Sequence, residues 1–78
     1  MTQLTVTEPH FAVCIENTDY PAALEVRKIY QVLPDADADK HQLVRIIDES
    51  GEDYLYPAAY FVRIDLPRPV QEALLKAA

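Results

Sequence analysis

The sequence predicts an all-β fold, a small barrel of about five strands with a short C-terminal helix. Short runs rich in β-branched and aromatic residues recur along the chain, each bounded by turn-forming residues. The segment LVRIIDESGEDYLYPAAYFVRIDLP, residues 43–67, reads as strand, acidic turn, strand, then a Tyr-Pro-Ala-Ala-Tyr-Phe turn feeding a further strand. The clearest helix-prone stretch, VQEALLKAA, comes after Pro67 and Pro69.

The first strand is expected over His10–Ile15, HFAVCI, ended by the polar Glu16-Asn17-Thr18-Asp19. Phe11, Val13 and Ile15 would share one face, with Ala12 and Cys14 on the other. So dense an apolar run predicts cover on both sides, or contact with a partner chain. A second strand is expected over Leu24–Leu33, where Leu24, Val26, Tyr30 and Val32 alternate with polar residues around Lys28. A helix competes there, because Leu24, Arg27 and Lys28 are good helix formers. Pro34–Lys40 reads as a polar connection.

Leu43–Asp48 returns to strand character, and Glu49-Ser50-Gly51-Glu52 forms the hairpin turn. Gly51 is the only glycine of the chain, which marks a backbone site requiring positive φ. Asp53–Tyr56 is the returning strand and Phe61–Leu66 the last. Pro57-Ala58-Ala59 between them suits one tight helical turn. In the tail, Val70, Leu74 and Ala77 lie along one stripe, and so short a helix must dock to persist. The chain reads as one domain over residues 1–78, with a barrel core over about 11–67 and a helical tail over about 69–77.

Charge and composition narrow the function. Seven basic and thirteen acidic residues give a net charge of −6. Phosphate backbones are bound through clustered Lys and Arg, so direct nucleic-acid binding is disfavoured. Cys14 is the only cysteine, so no internal disulfide can form. The start MTQLTVTEPHF has neither the basic residues nor the apolar run of a signal peptide. No stretch approaches the ~20 apolar residues of a membrane helix. A cytoplasmic protein without membrane association is expected.

The chemistry-bearing residues are few. Asp35, Asp37 and Asp39 have the alternation that opens a calcium loop, but the sixth and twelfth positions hold Lys40 and Ile46 where Gly and a carboxylate are needed. No metal or other cofactor is expected. Cys14, His10 and His41 are the only residues available for a thiol–imidazole pair, and Cys14 lies in the most apolar run. No catalytic residue is assigned and an enzyme is not expected.

Asp48, Glu49, Glu52 and Asp53 gather at the hairpin turn as a wet acidic rim. Tyr20, Tyr30, Tyr54, Tyr56 and Tyr60 are the richest source of contact surface, because each joins an apolar ring to a polar tip. Tyr54 and Tyr56 should share a strand face, with Leu55 pointing into the core. The partner-binding residues are therefore expected to be Tyr54, Tyr56, Pro57 and Tyr60, with the acidic turn at their edge.

The segment YPAAYFVRI, residues 56–64, resembles the closing motif of Src-homology-3 domains, in which an aromatic-Pro-x-x-Tyr turn enters the last strand. The resemblance implies a barrel of that kind, with Pro57 and Tyr60 at the positions that help form a peptide groove. The chain has no Trp, on which the groove of those domains relies, so the barrel is the stronger implication. CIENTDYPAALEVRKIYQVLPD, followed by LVRIIDESGEDYLYP, resembles a family of short bacterial proteins of unknown function. That likeness implies a self-contained bacterial cytoplasmic domain and supplies no site residue.

The function expected is a non-enzymatic protein-interaction module. The alternatives are a structural homodimer without a ligand groove, suggested by HFAVCI and exposed strand edges, and an acidic DNA-mimicking inhibitor, suggested by the net charge.

Overall fold

The computed structural model describes residues 10–77. The strands are β1 (His10–Cys14), β2 (Ile29–Leu33), β3 (Leu43–Ile47), β4 (Asp53–Pro57) and β5 (Phe61–Ile64). Helix α1 (Ala36–Lys40) joins β2 to β3, a 3₁₀ turn (Ala58–Tyr60) joins β4 to β5, and α2 (Arg68–Ala77) ends the described chain. The expectation for the N-terminal segment falls on residues 1–9, outside the described residues.

All five strands form one antiparallel sheet in the order β4-β3-β2-β1-β5. The strand-rich fold with a terminal helix agrees with the sequence. The sheet is not closed into a barrel, because the outer strands β4 and β5 pair only with β3 and β1.

Strand register decides the two faces. Ala12 stands opposite Tyr30 and Arg63, Cys14 opposite Phe61, Val32 opposite Ile46, and Val44 opposite Tyr56. Alternation therefore gathers Ala12, Cys14, Tyr30, Val32, Val44, Ile46, Tyr56 and Phe61 on one face, where they form the buried core. The long β1–β2 loop folds over this face and inserts Leu24, 1% exposed. Phe11 points to the other face and is also buried, beside clefts lined by Gln71, Leu74 and Leu75 of α2. The expectation of cover on both sides of β1 is met at Phe11 and Ala12.

Three local expectations are corrected. Leu24–Leu33 is not one strand: pairing begins at Ile29, and Arg27 adopts φ 77°, which breaks an extended chain. The alternation there arises because Leu24 is buried by the loop and Tyr30 by the sheet. Pro34–Lys40 is not a plain connection: Asp35 Oδ1 accepts from the Asp37 and Ala38 amides at 3.1 and 3.0 Å and caps α1. The Asp-x-Asp spacing thus serves a helix start. Leu55 does not enter the core but is 40% exposed, since Tyr56 takes the inward position opposite Val44.

Two strand ends also move. β1 stops at Cys14, leaving Ile15 exposed, and β5 stops at Ile64. Gly51 has φ +86°, as its place in the hairpin turn requires.

Candidate functional site

The aromatic cluster sits where the β1–β2 loop meets the 3₁₀ turn. Pairing with β3 puts Tyr54 and Tyr56 on one face, opposite Ile46 and Val44. Tyr56 lies toward the interior and is 3% exposed, whereas Tyr54 at the start of the strand is 56% exposed. The loop lays Tyr20 edge-on against Tyr56, with ring centroids 4.9 Å apart and planes at 85°. Tyr60, from the 3₁₀ turn, lies 6.2 Å from Tyr20. Both geometries are the edge-to-face contacts that aromatic quadrupoles favour.

The expected contact residues therefore divide. Tyr54 is open, Pro57 and Tyr60 are half-buried, and Tyr56 belongs to the interior. Tyr20, 37% exposed, joins the surface although it lies far away in sequence. A buried tyrosine ring leaves room above it for a covering ring, but nothing in a linear pattern says which loop residue supplies it.

The acidic turn is also divided. Asp48 is a buried carboxylate, 6% exposed. Its Oδ2 accepts from the Tyr56 hydroxyl at 2.5 Å, and its Oδ1 accepts from the Ser50 amide and hydroxyl at 2.9 and 2.6 Å. Burial pushes the Asp48 carboxyl up, but the Ser50 and Tyr56 hydrogen bonds outweigh it and hold the group below its ordinary value. Glu49 Oε2 accepts from Lys28 Nζ at 2.6 Å and from the Tyr30 hydroxyl at 2.5 Å. Those two bonds, Lys28 first, also lower the Glu49 carboxyl.

The same contacts act oppositely on the phenols. Burial, then the bond to Glu49, raises Tyr30; burial, then the bond to Asp48, raises Tyr56. Glu52 is exposed, and Asp53 accepts from Arg45 Nη1 at 2.8 Å. The expected acidic rim thus keeps Glu52 in the open while Asp48 and Glu49 brace the fold. A buried tyrosine hydroxyl needs a partner, and the carboxylate-rich β3–β4 turn is the sequence signal for it.

Negative charge near the half-buried Tyr60 comes instead from the loop. Tyr60 is raised by burial and then by the charges of Asp19 and Glu16. Glu16 also accepts a hydrogen bond from the Thr18 hydroxyl. A tyrosine ring with carboxylates near it suits a cationic side chain through both ion pairing and ring-face attraction, and Tyr60 is the ring that has them here.

The other candidate groups do not converge. Cys14 and His10 occupy opposite ends of β1, about 13 Å apart at the usual rise of a strand. The buried Cys14 thiol donates to the Glu16 carbonyl at 3.3 Å. His41 closes α1 with Nδ1 2.9 Å from the Asp37 carbonyl. Asp35 pairs with Arg45 Nε at 2.9 Å, and Asp39 lies 3.8 Å from Arg63. Among the described residues no three His, Cys, Asp or Glu side chains stand close enough to hold a metal, and no helix is long and apolar enough to cross a membrane.

No family model, no curated protein and no solved structure matches the chain.

Proposed function

We propose that this chain is a non-enzymatic protein-interaction module of the bacterial cytoplasm, built on an Src-homology-3-like arrangement. It engages a basic segment of a partner through Tyr20, Tyr54, Pro57 and Tyr60. The observation that carries the reading is the tyrosine cluster at the junction of the long loop and the 3₁₀ turn, with Glu16 and Asp19 beside it. The strand order β4-β3-β2-β1-β5, with a 3₁₀ turn between β4 and β5, supports the likeness to that barrel. Kinship with the short bacterial proteins of unknown function belongs to the same proposal.

Tyrosine supplies large contact area at little cost in side-chain entropy. A net charge of −6 speeds encounter with a basic partner at low salt and slows it as salt rises. The DNA-mimic alternative has less support, since Asp35, Asp48, Glu49 and Asp53 are held in internal hydrogen bonds.

The test is crosslinked capture from the source cell, read by mass spectrometry, with the wild type beside a Tyr54→Ala/Tyr60→Ala variant. The expected result is a partner set lost from the variant while its circular dichroism is unchanged. Equal capture by both proteins overturns the assignment of this surface.

A self-pairing reading draws on the opposite sheet face. Val62 and Val13 stand opposite each other and Val13 opposite Ile29, giving an apolar row with Val62 47% exposed. A monomer by sedimentation at every concentration eliminates it.

A further inference from the structure

We propose that Glu49 is the positioning residue of the aromatic surface: by holding the Tyr30 hydroxyl and the Ala23 carbonyl, it fixes the β1–β2 loop where Tyr20 meets Tyr56 and Tyr60. The inference rests on the reading of that surface as the contact site, and it names the device that assembles it.

The loop is a folded unit joined to the sheet at a few points. Internally, the Tyr20 amide donates to the Asn17 carbonyl at 2.8 Å, the Leu24 amide to the Tyr20 carbonyl at 3.0 Å, and Asn17 Nδ2 to the Leu24 carbonyl at 2.9 Å. Its root is closed by Cys14 and Lys28, whose backbone bond is 2.9 Å long, and by the Arg27 amide on the Cys14 carbonyl at 2.7 Å. The Ile15 amide reaches the Tyr60 carbonyl at 2.8 Å.

Away from that root, the polar attachments converge on Glu49. Its amide donates to the Ala23 carbonyl at 3.1 Å. Its carboxylate accepts the one hydrogen bond the Tyr30 hydroxyl can donate, which leaves that oxygen's lone pairs to accept from the Glu25 amide at 2.8 Å. One carboxylate therefore orients a phenol that in turn holds the loop backbone. Leu24, between these two points, is driven into the core.

Glu49 lies in the β3–β4 turn and Tyr20 in the β1–β2 loop, so the link crosses between segments remote in sequence. With the carboxylate gone, the Tyr30 hydroxyl is free to rotate and Glu25 loses an oriented acceptor. Tyr20 then loses the fixed placement that gives its edge-on contact with Tyr56.

Amide hydrogen exchange by NMR tests this without any partner, so its outcome is separate from the fate of the contact reading. In Glu49→Ala, the Leu24 and Glu25 amides are expected to exchange at least ~10-fold faster, the loss of a charge-assisted bond. Amides of the β2–β3 ladder should keep their rates. Glu49→Gln preserves an acceptor for the Tyr30 hydroxyl and should bring the loop back to within about 3-fold of wild type. Tyr30→Phe, which removes a single oxygen, should free Glu25 and serves if the alanine variant fails to fold. Unchanged loop rates in Glu49→Ala or Tyr30→Phe overturn the proposal, as does acceleration of loop and ladder together.

Discussion

Tyr54 and Tyr56 show how much a two-residue shift along a strand can change a role. They share a face by alternation, which the sequence made plain, yet Tyr54 is open and Tyr56 is sealed under Tyr20. Exposure along one face depends on what the rest of the chain lays over it, and that is not written in local pattern. The same holds for Asp48. Its place in a polar, turn-prone stretch predicts water, while the Tyr56 hydroxyl and Ser50 draw it inward. Gly51 is the opposite case, a lone glycine whose positive φ was legible because backbone sterics are local. Removing the Tyr56 hydroxyl should matter more than its small size suggests. Tyr56→Phe leaves Asp48 buried with one fewer donor and should cost about 1–3 kcal/mol in urea denaturation. The corresponding Tyr54→Phe change, at a ring 56% exposed with no such partner among the described residues, should fall within about 0.5 kcal/mol of wild type.

At the scale of elements, the strands between residues 43 and 64 are readable because each pairs with a near neighbour or follows directly on a turn. β3 and β4 are joined by a short hairpin, and their alternation and turn chemistry agree. The segment 24–33 reads as one strand because the period of two continues across a break at Arg27. Leu24 and Val26 belong to the loop, and the chain straightens only at Ile29. Composition alone does not separate a buried loop residue from a strand residue when both face the same core. Helix α1 is hidden in the sequence because five residues rich in Asp, just after Pro34, read as a polar connection. Its start is fixed by Asp35, with one oxygen on the Asp37 and Ala38 amides and the other 2.9 Å from Arg45 Nε. Helix α2 is legible in VQEALLKAA, although it begins at Arg68 with Pro69 in its first turn, and Val70 of the expected stripe is 41% exposed. The barrel expected from the order of the elements and the aromatic-Pro-x-x-Tyr turn is an open sheet, because closure needs the edges β4 and β5 to meet, and neither signal specifies that.

For the whole molecule, the carboxylate–tyrosine pairs set the range of pH over which the fold is firm. Asp48 and Glu49 have folded values below their ordinary 3.8 and 4.5. Their contribution is complete above those values and is lost as pH falls through the lower folded ones. Tyr30 and Tyr56 are raised above 10.0, so their contribution is complete below pH 10 and is lost as pH climbs through the folded values. Urea midpoints should therefore be flat over roughly pH 6 to 8, then decline below about pH 4 and above about pH 10. A midpoint that keeps rising as pH drops from about 5 to 3 would show that relief of the −6 charge outweighs the pairs.

Net acidity also favours a basic segment at the aromatic and acidic surface proposed as the contact site. An NMR titration of the labelled protein with a short arginine-rich peptide and, separately, with its glutamate counterpart tests that pairing. The arginine peptide is expected to shift Glu16, Asp19, Tyr20, Tyr54 and Tyr60, more weakly as salt rises, while the glutamate peptide leaves them unmoved. Shifts confined to the Val13, Ile29 and Val62 face, or equal responses to both peptides, would contradict it.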